Sequence, residues 1–259
     1  MSATGKVFLL GAGPGDPELL TVKALRILQG ANVVLHDSLV SEEILRLIPA
    51  GAEKIDVGKR AGFKLLTQDE INSLLVAAAK DHQIVVRLKG GDPMLFGRAA
   101  EEIRALQEAG VEMEIVPGIS AAFGAAAGAR ISLTDRRVAS HVLFTTYSRS
   151  ESRTLPGIGL TSETTVVVYM PGPDYSGASR WLQEAGLPGE TPCRVISKAT
   201  QREQSMTATT LQGLKKLIAL PAPALLLVGR VAAPFSEETD AFGWLEQGNA
   251  ESWSKESVS

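Results

Sequence analysis

From Ile84 the chain runs through β-branched residues to Lys89, then through Gly90-Gly91-Asp92-Pro93, and enters a helical pattern near Arg98 with Glu101 and Glu102 in its first turn. A β-branched apolar run that stops abruptly predicts a buried strand. Paired glycines at its end leave bare backbone where something must approach closely. Asp92 stands beyond the carboxyl end of that strand, where open α/β sheets build ligand sites. It can equally act as a local cap of the turn.

The same grammar repeats along the chain. Residues 7–10 predict a strand, and Gly11, Gly13, Pro14 and Gly15 a turn leading to a helix over 19–28. The turn lacks the dinucleotide-binding fingerprint, because Asp16 stands where its third glycine would be. An acid there would also repel a pyrophosphate. Residues 31–37 predict a second strand ending in Asp37, a ligand-facing acid or a cap for the helix beginning near Ser41. A strand near 55–60 runs into Lys59 and Arg60, which alone read as surface charges. Residues 68–81 predict an amphipathic helix, 98–109 another, and 111–116 a strand. Such alternation makes a parallel sheet covered on both faces.

Beyond Pro117-Gly118 an alanine- and glycine-rich helix runs to Gly128, its small side chains allowing close packing or ligand approach. Strands follow at 141–145, 164–170, 194–196 and 224–228, with helices at 176–185 and 210–218. The pattern implies an α/β domain over 1–117, a second with a mixed sheet over 118–246, and a polar tail at 247–259. Residues 149–163 read as a mobile polar loop.

A net charge of −3 without a basic block argues against nucleic acid, and no apolar run reaches the roughly 18 residues a membrane span needs. Cys193 is the only cysteine, so no internal disulfide can form, and three scattered histidines make no metal site. With no signal-peptide pattern, a cytoplasmic protein is expected.

Taken together, the ordered blocks resemble one family, the tetrapyrrole methylases, and within it the uroporphyrinogen-III C-methyltransferases. The blocks are residues 11–26, 31–41, 57–60, 86–93, 96–98 with Glu101-Glu102, 116–122, 168–170, 195–204 and 223–231. The resemblance implies two α/β domains of the tetrapyrrole methylase type, with the active site in the cleft between them. It implies S-adenosylmethionine as methyl donor, S-adenosylhomocysteine as its product, no metal, and a homodimer. The reaction would methylate two pyrrole carbons of uroporphyrinogen III (C2 and C7) to give precorrin-2, for siroheme, cobalamin or heme d1. Carried over by position, donor contacts fall on Pro14, Gly90, Gly91, Asp92, Leu95, Ser120, Ala121, Met170 and Ala199. Catalytic roles fall on Asp37, Lys59, Arg98 and Glu101. Arg60, Arg130, Arg136 and Arg149 are candidates to meet the substrate's carboxylates, since a guanidinium pairs bidentately with a carboxylate. Some relatives fuse further catalytic modules; at this length methyl transfer alone is expected.

Four departures fall in the second half. Asp135 replaces a usual histidine, preceded by Ala129 to Ser132 rather than Gly-Ile-Pro; Phe144-Thr145-Thr146-Tyr147-Ser148 stands for Phe-x-Thr-Gly-His; Pro171 replaces a glycine after Met170; and Ala199 replaces another. They keep open a sister methylase acting on another corrinoid precursor, and a tetrapyrrole-binding protein without catalysis.

Overall fold

The computed structural model describes residues 5–58, 66–147 and 159–233. Two five-stranded sheets organise the chain. The first comprises β1 (Lys6–Gly11), β2 (Val33–His36), β3 (Glu53–Asp56), β4 (Ile84–Lys89) and β5 (Met113–Val116), in the order β3-β2-β4-β1-β5. Every pairing is parallel. One face packs Leu10, Val34, Val86 and Leu88 against α1 (Val22–Gln29) and α2 (Glu42–Leu45). The other packs Val7, Leu9, Leu35 and Val85 against α3 (Gln68–Asp81) and α4 (Ala99–Glu108). Both faces being covered, β1, β2 and β4 are apolar nearly throughout.

The second sheet comprises β6 (His141–Thr146), β7 (Thr164–Tyr169), β8 (Pro192–Ser197), β9 (Ser205–Thr210) and β10 (Ala224–Val228), in the order β6-β7-β10-β8-β9. Only β6 and β7 are parallel, so the sheet is mixed as expected. Helix α6 (Tyr175–Glu184) covers one face through Tyr175, Ala178 and Leu182. On the other lies α5 (Ala121–Gly128), whose Ala122, Ala125 and Ala126 meet Val167, Ile196, Leu225 and Leu227.

Three expectations need correction. The helix expected over 19–28 begins at Val22, because Thr21 caps it and residues 17–19 form a 3-10 turn capped by Asp16. Asp37 does not cap α2; the Ser41 hydroxyl accepts from Ile44 N instead. The helix expected over 210–218 is instead the end of edge strand β9 followed by a 3-10 turn at Gly213–Lys216. The loop expected around 149–163 falls mostly outside the described residues, and the tail wholly so.

Helix α3 matches its predicted span because its start is written locally. Thr67 accepts from Glu70 N at 3.2 Å while the Glu70 carboxylate accepts from Thr67 N at 2.7 Å, a complete capping box. Thr67→Ala is expected to lower stability by about 1 kcal/mol, measured by urea denaturation, with methyl transfer unchanged.

Candidate active site

The carboxyl ends of β1, β4 and β5 are knitted together by glycine. Gly13 and Gly91 exchange backbone hydrogen bonds of 3.1 and 2.7 Å, and Ala12 N donates to Lys89 O at 2.8 Å. A Cβ on Gly118 would lie 2.4 Å from Gly91 O and 2.8 Å from Gly11 Cα. Only bare backbone fits at that junction. Asp92 ties it from the side: one carboxylate oxygen accepts from Gly118 N at 3.0 Å and the other from Met94 N at 2.8 Å. Asp92 is therefore a cap, as one of its two sequence readings has it, and also a strut between the β4 and β5 loops.

Opposite stands the second sheet. Tyr169, the last residue of β7, shares a 2.5 Å hydrogen bond between its hydroxyl and Ser120 Oγ, and it accepts from Ala122 N at 3.2 Å. Burial holds the Tyr169 phenol above its ordinary pKa. Its ring lies 5.0 Å from that of Phe96 on the β4 loop. Met170 follows with φ +50° and projects outward, 60% exposed. From the β8–β9 turn, Thr200 accepts from Asp16 N at 3.1 Å, beside the buried Ala199. A Cβ on Gly124 would strike Pro14 at 2.7 Å and Thr200 at 2.9 Å, so α5 lies pressed against both.

The structure thus brings the loops carrying Pro14, Gly91, Asp92, Ser120 and Ala121 together with Tyr169 and Thr200, the neighbours of Met170 and Ala199, while a Cβ on Gly90 would lie 3.0 Å from Leu39 Cβ and Leu95 N donates to Asp92 O at 3.3 Å. Arg98 and Glu101 pair with each other through two 2.7 Å bonds. That pairing lowers the Glu101 pKa and raises that of Arg98. Arg98 has φ +56°, a left-handed conformation at the start of α4. Arg130 lies exposed just past the carboxyl end of α5, away from Ser120, and Arg136 is exposed in the turn spanned by the Asp135–Ala139 bridge. Asp135 binds Arg137, which holds its carboxyl below the usual range. Lys59, Arg60 and Arg149 lie outside the described residues.

Asp37 sits at the end of β2, its N–H donating to Leu88 O at 3.2 Å. Leu35 pairs with Arg87 in register, so Asp37, two residues on and on the same face, meets the Arg87 guanidinium at 2.5 Å. Arg87 Nε donates to Glu102 Oε1 at 2.9 Å, and Lys89 Nζ to the same oxygen at 3.0 Å. Side-chain exposure falls from 26% at Asp37 to 3% at Arg87 and Lys89 and 0% at Glu102. Burial, reinforced by Arg87, lowers the Lys89 pKa. The sequence signal for this cluster is the pair of cations at alternate positions of an inner parallel strand, where apolar residues are the rule.

Among the described residues, no group of three His, Cys, Asp or Glu side chains could hold a metal ion, and no helix is long and apolar enough to cross a membrane.

Comparison with known proteins places this geometry. The model of the tetrapyrrole (corrin/porphyrin) methylases matches residues 6–215. A uroporphyrinogen-III C-methyltransferase of Paracoccus denitrificans is 44% identical over 235 residues, covering 88% of this chain and 82% of that protein. A siroheme synthase of Pseudoalteromonas atlantica is 45% identical over 247 residues, covering 93% of this chain but 53% of that protein, so the chain spans about half its length. The solved structure of a Thermus thermophilus uroporphyrin-III C-methyl transferase complexed with S-adenyl homocysteine superposes with a TM-score of 0.75 at 36% identity, covering 88% of this chain and 93% of that one. The chain belongs to the tetrapyrrole methylase family.

Proposed function

We propose that this chain methylates uroporphyrinogen III at two pyrrole carbons, C2 and C7, using S-adenosylmethionine, and releases precorrin-2. The observation that carries the reading is the glycine junction of β1, β4 and β5, faced from the second sheet by the hydrogen-bonded pair Ser120 and Tyr169. A donor of this kind fits there. Gly91, at φ +68°, would direct a Cβ toward Ala121 N at 3.5 Å and Ser120 Cα at 3.9 Å. Leaving it bare opens space along Gly90, Gly91, Ser120 and Ala121, with Pro14, Leu95, Met170 and Ala199 as the surrounding contacts. Asp92 keeps lone pairs for a polar group of the ligand beyond its two backbone bonds. When bound, the donor supplies a methyl group on a sulfonium, whose neutral thioether leaves without acid assistance.

The chain's own task is orientation and proton removal. Holding a ring carbon in line with a methyl group can supply up to roughly 7–11 kcal/mol of the barrier. Each methylated ring becomes an iminium. A neighbouring C–H bond then breaks, its electron pair neutralises the iminium nitrogen, and its proton forms an O–H bond on Asp37, with Lys59 assisting. Arg98 and Glu101 shape the substrate side, and Arg60, Arg130, Arg136 and Arg149 offer cations to the substrate's carboxylates. We place the protein in the cytoplasm as a homodimer acting on a small-molecule tetrapyrrole, without nucleic acid, membrane or metal.

Incubation with S-adenosylmethionine and uroporphyrinogen III should add two methyl masses and produce a more conjugated chromophore. No mass gain on the substrate would refute the reading. A second reading, action on a different corrinoid precursor, rests on Asp135 and its bond to Arg137. Faster turnover of precorrin-2 than of uroporphyrinogen III would favour it.

A further inference from the structure

The four charges beneath the cleft are arranged with a direction. Asp37, at the open end, is the most exposed, and burial deepens through Arg87 and Lys89 to Glu102. The Arg87 guanidinium is engaged on every edge: Nη2 on Asp37 Oδ1, Nε on Glu102 Oε1, and Nη1 on Leu88 O at 3.3 Å. No rotamer freedom remains to it. Glu102 gives a single oxygen to two cations, while its other oxygen, Oε2, is buried without a hydrogen-bond partner among the described residues.

Stability alone does not account for such a cluster. Taking ions out of water costs several kcal/mol each, and well-packed apolar residues in their place are often as stable or more so. An unpaired buried acceptor adds roughly 1–3 kcal/mol to that cost. What the arrangement does deliver is a carboxylate fixed in place at the cleft. Asp37 Oδ1 is spent on Arg87, and Oδ2 has no hydrogen bond among the described residues. We infer that Arg87, Glu102 and Lys89 are positioning residues that lock the Asp37 carboxylate in the orientation from which it takes the departing proton. The inference rests on the reading of Asp37 as proton acceptor.

Among the described residues, the titratable and charged groups around Asp37 are Arg87 and Lys89 from β4, Glu102 from α4 behind them, and His36 beside it, whose Nδ1 lies 3.3 Å from Asp37 O. Lys59 follows Gly58 in the chain, and a Cβ on Gly58 would lie 2.2 Å from Ser38 N. Two substitutions in one network should therefore act in opposite directions. Withdrawing a cation from beside a carboxylate makes it hold its proton to higher pH, and withdrawing an anion does the reverse.

The test is the pH–rate profile of single-turnover methylation by the whole chain, with S-adenosylhomocysteine affinity and melting temperature recorded in parallel. Arg87→Met should move the acid limb upward by about one pH unit and lower the plateau. Arg87→Lys should restore part of the displacement. Glu102→Gln, which keeps shape and hydrogen bonding and so guards against a misfolded Arg87 variant, should move the limb downward. Limbs that stay in place in both Arg87→Met and Glu102→Gln, with only melting temperature reduced, would overturn the inference and leave the role of Asp37 standing. Full activity in Asp37→Asn would overturn that role, and this inference with it.

Discussion

Asp37→Asn is expected to cut single-turnover methylation of uroporphyrinogen III by roughly 10²- to 10⁴-fold, the usual contribution of a positioned proton acceptor. Asparagine keeps a carbonyl oxygen for the Arg87 guanidinium, so the 2.5 Å contact keeps its acceptor while basicity is lost. The strand end keeps its backbone bond from Asp37 N to Leu88 O. Binding of S-adenosylhomocysteine should therefore stay within about threefold of the parent value, as expected when only a transition-state interaction is removed. Calorimetric titration beside the rate measurement separates the two effects. A rate within an order of magnitude of the parent would show that the proton leaves by another route.

Gly118→Val should be the most damaging single change to the fold near the site. The added Cβ would meet Gly91 O at 2.4 Å and Gly11 Cα at 2.8 Å. Both are backbone atoms, so no flexible side chain can yield, and the ends of β1, β4 and β5 must part. The bond from Gly118 N to Asp92 would go with them. Overpacking of this kind costs about 3 kcal/mol. For a chain of this size that lowers the melting temperature by roughly 10 °C. Binding of S-adenosylhomocysteine should fall at least tenfold, because the disturbed backbone is the proposed floor of the donor site. Gly51→Ala, with nothing within 4 Å of its Cβ, is the control and should stay within about 0.5 kcal/mol of the parent. A Gly118 variant as stable as that control would rule out the tight junction.

Strands β1, β2 and β4 were legible because their apolar runs give way to glycine or acid, whereas β3, expected near 55–60, lies at Glu53–Asp56, where charged residues at the sheet edge mask it. Helix α3 was legible to the residue because Thr67 and Glu70 mark its start. The second sheet hid β9. Residues 205–210 are polar, alternating and at an edge, so neither strand nor helix periodicity stands out. The helix expected over 19–28 started too early because the turn after Pro17 looks helical until Thr21 caps the next element.

At the site, backbone was easier to read than side chains. Gly90, Gly91 and Asp92 announce a close approach in the sequence itself. The contacts made by Tyr169 and Thr200 depend on the docking of one sheet against the other, which no local pattern encodes. Arg87 and Glu102 lie 15 positions apart and meet only because α4 returns over β4. Arg98 was expected in a catalytic role, and the fold gives its guanidinium to Glu101. Substrate carboxylates would have to share that cation with Glu101 or take it over.

Within the described residues the polypeptide passes from the first sheet to the second once, between the end of β5 and the start of α5. Every other link across the cleft is non-covalent. That single strap leaves the hydrogen-bond ladder of each sheet complete in itself, and its root is the peptide that Asp92 grips at Gly118. The root of the strap and the glycine junction are thus the same few atoms, so the connection between the sheets and the proposed floor of the donor site cannot be altered separately.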